Sequence, residues 1–264
     1  MSNSTQAALG PLLATYGKSR SFLLVGSILG ALFAGVGAFV LWLSTRIGPN
    51  FRFDGDISML YSVGFGGIGI GIAIVVLFWR LVASQATVAL HQNGIHASGP
   101  DGQCVTLYRD IEDVFVFFHG GLGFRATPQS PWTFVGARNS KYAQLSSRLI
   151  ELQIQHRGVV VFSDLQAGKT VAFRYLQDSV AQSKSFVASR RMDFPMSELS
   201  LSRDTLQIAG KSIAIARIDG INTNLWTEKS QIIDTDGQVF HTVHPSSVFS
   251  FALLHEMIAR LQRK

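Results

Sequence analysis

The sequence predicts an α+β protein: an N-terminal transmembrane helical hairpin, then two modules of antiparallel strands, each closed by a C-terminal helix. Three features point there. Two long uncharged apolar runs lie near the start, strand-like alternation begins after residue 80, and one turn-flanked signature occurs twice. With 47% hydrophobic and 15% charged side chains in 264 residues, the chain is more apolar than an average soluble protein. The lone Cys104 excludes an intrachain disulfide and a cysteine-based zinc site.

Residues 1–21 read as an N-terminal tail and residues 22–80 as the hairpin. Phe22 to Leu43 and Ile57 to Trp79 carry no charge, and each is long enough to cross a hydrocarbon core of about 30 Å. A cleaved signal peptide is excluded for the first run, because its apolar region is too long and "LWLSTR" offers no small-x-small cleavage site. The short connector places both chain ends on one side. Lys18, Arg20 and Arg80 flank the runs against Arg46 and Arg52 in the connector, which favours cytoplasmic termini. Gly26, Gly30, Ala34 and Ala38 recur every fourth residue, and Gly67 and Gly71 do the same in the second run. Both sets predict smooth faces for close helix packing, within the hairpin or in a homo-oligomer. Neither span carries an ionisable side chain, which argues against conduction.

The strand-rich part is expected to divide into residues 84–190 and 191–264. "TVALHQNGIHASG" reads as a hairpin turning at Asn93-Gly94, with Val88, Leu90 and Ile95 on one face. "ELSLSRDTLQIAGKSIAIARIDGI" has the same form, with Leu199, Leu201 and Leu206 in matching places. Arg109-Asp110-Ile111-Glu112-Asp113-Val114 then corresponds to Ala216-Arg217-Ile218-Asp219-Gly220-Ile221. "IQHRGVVVF" and "IIDTDGQVF" read as strand-turn-strand around Gly158 and Gly237. A closing helix is expected after each. One carries Phe173, Leu176, Val180 and Val187; the other starts at Pro245-Ser246-Ser247 and carries Phe251, Leu254, Ile258 and Leu261.

"VALHQNGIH…YRDIEDV" and "LSLSRDTLQI…ARIDGI" resemble the pleckstrin-homology-like (PH-like) modules of bacterial membrane proteins. The layout is similar to a family with two N-terminal transmembrane helices and tandem PH-like modules, to which no activity is assigned. The resemblance covers most of Thr87 to Gln262. It implies two partly open seven-stranded barrels, each capped by a helix, at the bacterial inner membrane. Thr127 to Ser147 departs from that pattern as an insertion-like stretch, and the second copy is short.

The motifs with chemical associations read as structural. "AGKT" at Ala167 to Thr170 lacks the earlier glycine of a phosphate-binding loop, since Ser163 stands there. His241 and His244 lack a third metal ligand, His91 and His96 read as surface residues flanking a turn, and Cys104 has no base partner. "HGGLG" at His119 to Gly123 reads as a hairpin tip. No catalytic residue, metal site or cofactor is expected. Residues 81–191 hold eleven Lys/Arg against seven Asp/Glu, whereas 192–256 hold four against eight. A basic first module suits an anionic leaflet, and Arg80, Arg190 and Arg191 are its candidate lipid- or partner-binding residues. No nucleic-acid motif accompanies the net charge of +6. The expected function is a non-enzymatic membrane-anchored scaffold that binds an unidentified protein partner or membrane lipid headgroups. The alternative is a protective or regulatory membrane partner, such as an immunity protein against a membrane-targeted toxin.

Overall fold

The computed structural model describes residues 7–46, 56–99, 102–117, 121–137, 139–176, 195–224 and 229–263. Among these residues it is mixed α+β, with two long apolar helices and four antiparallel sheets, and the chain forms two compact units: Gly17–Gln85, and Met1–Tyr16 together with Ala86–Lys264.

The helical unit holds α1 (Arg20–Ser44) and α2 (Ile57–Ala83). Both are long and apolar enough to cross a membrane, and only 17% and 11% of their most apolar stretches is buried. Ser19 and Asp56 cap them by accepting the backbone N–H of Phe22 and Ser58. Their antiparallel seam is made of glycine. A Cβ on Gly71 would lie 2.5 Å from the Gly30 carbonyl oxygen, and one on Gly37 would lie 2.5 Å from that of Gly64. Gly30 and Ala34 meet Gly71, Gly67 meets Gly37, and Gly26 faces the Phe78 side chain, all between the two helices of one chain. Ala38 is the exception: it is exposed, and Gly37 takes its place in the seam. The physical reason is the 3.6-residue turn, which makes a strict four-residue repeat drift off the contact line until a three-residue step corrects it.

The strand-rich unit begins before the hairpin. β1 (Leu12–Tyr16) pairs antiparallel with β2 (Thr87–His91), so part of the expected tail is an edge strand. β3 (Gly94–Gly99) and β4 (Gly102–Leu107) complete the sheet in the order β1-β2-β3-β4. Val88, Leu90 and Ile95 are fully buried on its inner face, as alternation predicts. Tyr108–Asp110 forms a 3-10 turn, after which β5 (Asp113–Phe117), β6 (Gly121–Arg125) and β7 (Thr133–Gly136) make a second sheet. Gly121 thus opens a strand. The tip residues 118–120 lie outside the described residues.

α3 (Tyr142–Gln166) overturns two expectations. "IQHRGVVVF" is not a strand-turn-strand but the second half of this helix, and Tyr142–Ser147, the end of the supposed insertion, is its start. Valines at 159–161 lower helix propensity, but Leu145, Leu149, Leu152, Val161 and Leu165 recur at helical spacing and are all buried. Burying each contributes roughly 1.5–3 kcal/mol, which outweighs a few tenths per valine.

β8 (Val171–Leu176) follows, so Phe173 and Leu176 lie on a strand rather than a closing helix; Val180 and Val187 lie outside the described residues. It pairs with β9 (Met196–Leu201), and β10 (Thr205–Ile208) and β11 (Lys211–Ala214) extend that sheet in the order β11-β10-β9-β8. A division at residue 190 would split this sheet. The 3-10 turn Ile215–Arg217 leads into β12 (Ile218–Asn224), β13 (Lys229–Asp234) and β14 (Val239–Val243). Pro245–Ser247 is a separate 3-10 turn, and α4 (Phe251–Gln262) starts only after it. Leu254, Ile258 and Leu261 of α4 are buried as predicted.

Gly71→Leu is expected to destabilise the detergent-solubilised chain by about 1–3 kcal/mol through overpacking. Gly66→Leu, at a position with no atom near an added Cβ, leaves it unchanged; thermal unfolding of the pair provides the check.

Candidate functional site

The most elaborate polar constellation among the described residues lies where β5, β6 and β8 meet. Strand register sets Asp113 directly opposite Arg125, and Arg125 Nε donates to Asp113 Oδ2 at 2.6 Å. Arg174, on β8, donates through Nε and Nη2 to Asp113 and through Nη2 to Glu112, at 3.0–3.2 Å. Arg157 of α3 approaches Glu112 at 3.6 Å. Asp113 is 2% exposed and Arg125 7%. Charges this deep need partners, because removing one leaves the other ionised in a poor solvent. Burial would discharge Arg174, but hydrogen bonds and charge from Asp113 and Glu112 hold it protonated, with its pKa raised. Arg125 is used further: Nη1 donates to the Pro128 carbonyl at 2.6 Å, and the guanidinium stacks 4.6 Å over Trp132.

A second layer joins the same place to α4. Ser250 N–H donates to the Val114 carbonyl at 2.7 Å. Its hydroxyl accepts from Val114 N–H and from Gln153 Nε2, and donates to the Glu112 carbonyl. Phe249 N–H donates to the Arg174 carbonyl, and Tyr175 bridges to Val248. Residues 248–250 are therefore threaded between β5 and β8. Phe249 is fully buried, edge-on to Phe115 at 5.1 Å and to Trp132 at 5.4 Å. Each carboxylate of the cluster faces two guanidinium groups. The arrangement holds strands and a helix together, and its charged groups are spent on one another.

The sequence did not single out this cluster. Within the duplicated signature Asp113 matches Gly220, so the acid belongs to the first copy alone; that asymmetry was the available signal. Of the predicted binding residues, Arg80 is exposed in the last turn of α2, while Arg190 and Arg191 lie outside the described residues. Gly168, with φ of +79°, ends α3, and Lys169 pairs with Asp164 at 2.8 Å. The segment thus runs helix, loop, strand. It offers a helix C-terminus, where carbonyls repel an anion, and not a last strand leading into a closing helix. His91 is not a surface residue: it is half-buried, and its Nδ1 donates to the Gly10 carbonyl at 3.0 Å. His96 is half-buried too. Cys104 is half-buried on β4, with Sγ 3.4 Å from the Thr106 hydroxyl. Among the described residues no group of three His, Cys, Asp or Glu is placed to hold a metal.

Fold and site together define an α+β protein with a paired apolar helical unit and a strand-rich unit pinned by buried ions. No protein family and no curated protein matches the chain.

Asp113→Asn is expected to cost about 3–5 kcal/mol, the range for breaking a buried pair, because Arg125 loses its only carboxylate and Arg174 keeps Glu112 alone. The double change Asp113→Leu with Arg125→Met, which leaves Arg174 on Glu112, recovers part of that loss, as measured by urea unfolding of the full chain; equal losses in both variants would mean the ions matter only through shape.

Proposed function

We propose that the protein is a non-enzymatic, membrane-anchored binding scaffold whose two helices hold tandem PH-like modules at the cytoplasmic face of a bacterial inner membrane. The observation that carries this reading is the place of the helices in the chain: they are spliced between two hydrogen-bonded strands, β1 and β2. Anchor and strand-rich unit are thereby joined by two covalent connections rather than one flexible tether. Seven strands followed by a helix occur twice among the described residues, which supports the PH-like assignment of both halves. Strands at sheet edges, such as β4 and β7, suit a partner that binds by strand addition. The basic excess of residues 81–191 suits anionic headgroups.

β1 belongs to the first sheet, so a soluble fragment beginning at Leu81 would lack an edge strand, and tests belong on the full chain. After alkaline carbonate washing the protein is expected to stay with the membrane pellet; its release would overturn the anchor. Affinity capture of the tagged chain from native membranes is expected to recover one protein at near-stoichiometric yield, resistant to high salt. Recovery of anionic lipid alone, lost in salt, would put headgroup binding in its place, and recovery of neither would remove the scaffold reading.

A further inference from the structure

We propose that β1 is a strap that makes completion of the first sheet conditional on both apolar helices crossing the bilayer; the idea rests on the membrane reading above. β1 precedes α1 and β2 follows α2, yet Thr15 lies opposite Ala89 and Tyr16 opposite Val88. Everything between them, Gly17–Gln85, belongs to the separate helical unit. Two strands sharing a ladder must lie on the same side of a membrane, because unpaired backbone groups are not tolerated in hydrocarbon. An even number of crossings meets that demand. A single crossing places residues 7–16 on the face opposite the rest of their sheet.

The helical unit closes in the same sense. Lys18 Nζ donates to the Ala83 carbonyl at 3.0 Å, tying the approach to α1 to the end of α2. The strap is also part of the core. Leu9 is fully buried and Tyr16 is 8% exposed. Asn93 N–H donates to the Leu9 carbonyl, and Gln92 N–H to that of Pro11. A Cβ on Gly94 would lie 2.7 Å from Leu9 Cδ2, so the turn is shaped around this side chain. A chain with an odd number of crossings would leave the outer edge of β2 bare and the places of Leu9 and Tyr16 empty. Both are hallmarks of chains that aggregate or are degraded. The strap thereby converts membrane topology into a complete or incomplete core.

The test is cysteine cross-linking of the full chain in membranes, in a Cys104→Ser background. Thr15→Cys with Ala89→Cys is oxidised, and the chain is then cut between the helices, after solubilisation, at an engineered protease site. The two fragments are expected to stay joined until reduced. Thr15→Cys with Ser98→Cys, two strands away, sets the background. Deleting Ile57–Ala83, which leaves one crossing, is expected to reduce the link to that background. Replacing the same residues with an unrelated alanine–leucine helix of equal length restores it. The strap is overturned if the two-helix chain with Thr15→Cys and Ala89→Cys gives no link above background, if the one-crossing chain links equally, or if the replacement helix fails to restore it. An absent link in the two-helix Thr15→Cys/Ala89→Cys chain, with that chain still in the carbonate-washed pellet, counts against the strap alone, whereas its release by carbonate removes the membrane reading first and the strap's dependence with it.

Discussion

One helix serves two hydrophobic cores, and the strand-rich unit depends on it. The N-terminal half of Tyr142–Gln166 places Leu145, Leu149 and Leu152 among Val88, Leu90 and Phe124. Its C-terminal half places Val161 and Leu165 among Leu199, Leu206 and Met257. A continuous helix is stiff, so the two cores cannot move independently without breaking hydrogen bonds within it. Gly158 sits between the two sets, where a Cβ would come 3.3 Å from Met257 Cε; its lack of a side chain lets the C-terminal helix approach there.

The buried ions add direction to what the helix holds by packing. Apolar contacts tolerate sliding, whereas Arg125 and Arg174 converging on Asp113 fix one register between β5, β6 and β8. The left-handed Ser250, at φ of +52°, serves the same end by presenting its hydroxyl and amide to Val114 and Glu112. Ions at 2–12% exposure gain little net stability over apolar side chains of the same volume, whereas removing one partner leaves the other charge buried and unpaired. The shared helix and the ion cluster thereby tie the two halves of the strand-rich unit to each other.

The splice of the helical hairpin into the first sheet joins the two units through two chain connections. Here the chain leaves the sheet after Tyr16 and returns before Thr87, at adjacent strands. The glycine seam packs the two helices against each other inside the chain.

The sequence alone determined the two apolar helices, because an uncharged run of that length has few other places to go. It also determined the hairpins at Asn93-Gly94 and Gly237, where turn chemistry and alternation agree, and the buried stripe Leu254, Ile258 and Leu261 of the last helix. It misplaced Val159–Val161, because a β-branched run after glycine has a local preference for strand, and only neighbouring cores reverse it. It passed over residues 12–16 as a tail, since five residues of mixed polarity carry no signal until β2, more than seventy positions away, supplies the partner. The Asp113–Arg125–Arg174 cluster lay beyond reach for a related reason. Its members come from three strands, and isolated Arg and Asp residues read as surface until packing takes them out of water. Local periodicity is written in neighbours along the chain; pairing across it is decided only when the strands and helices meet.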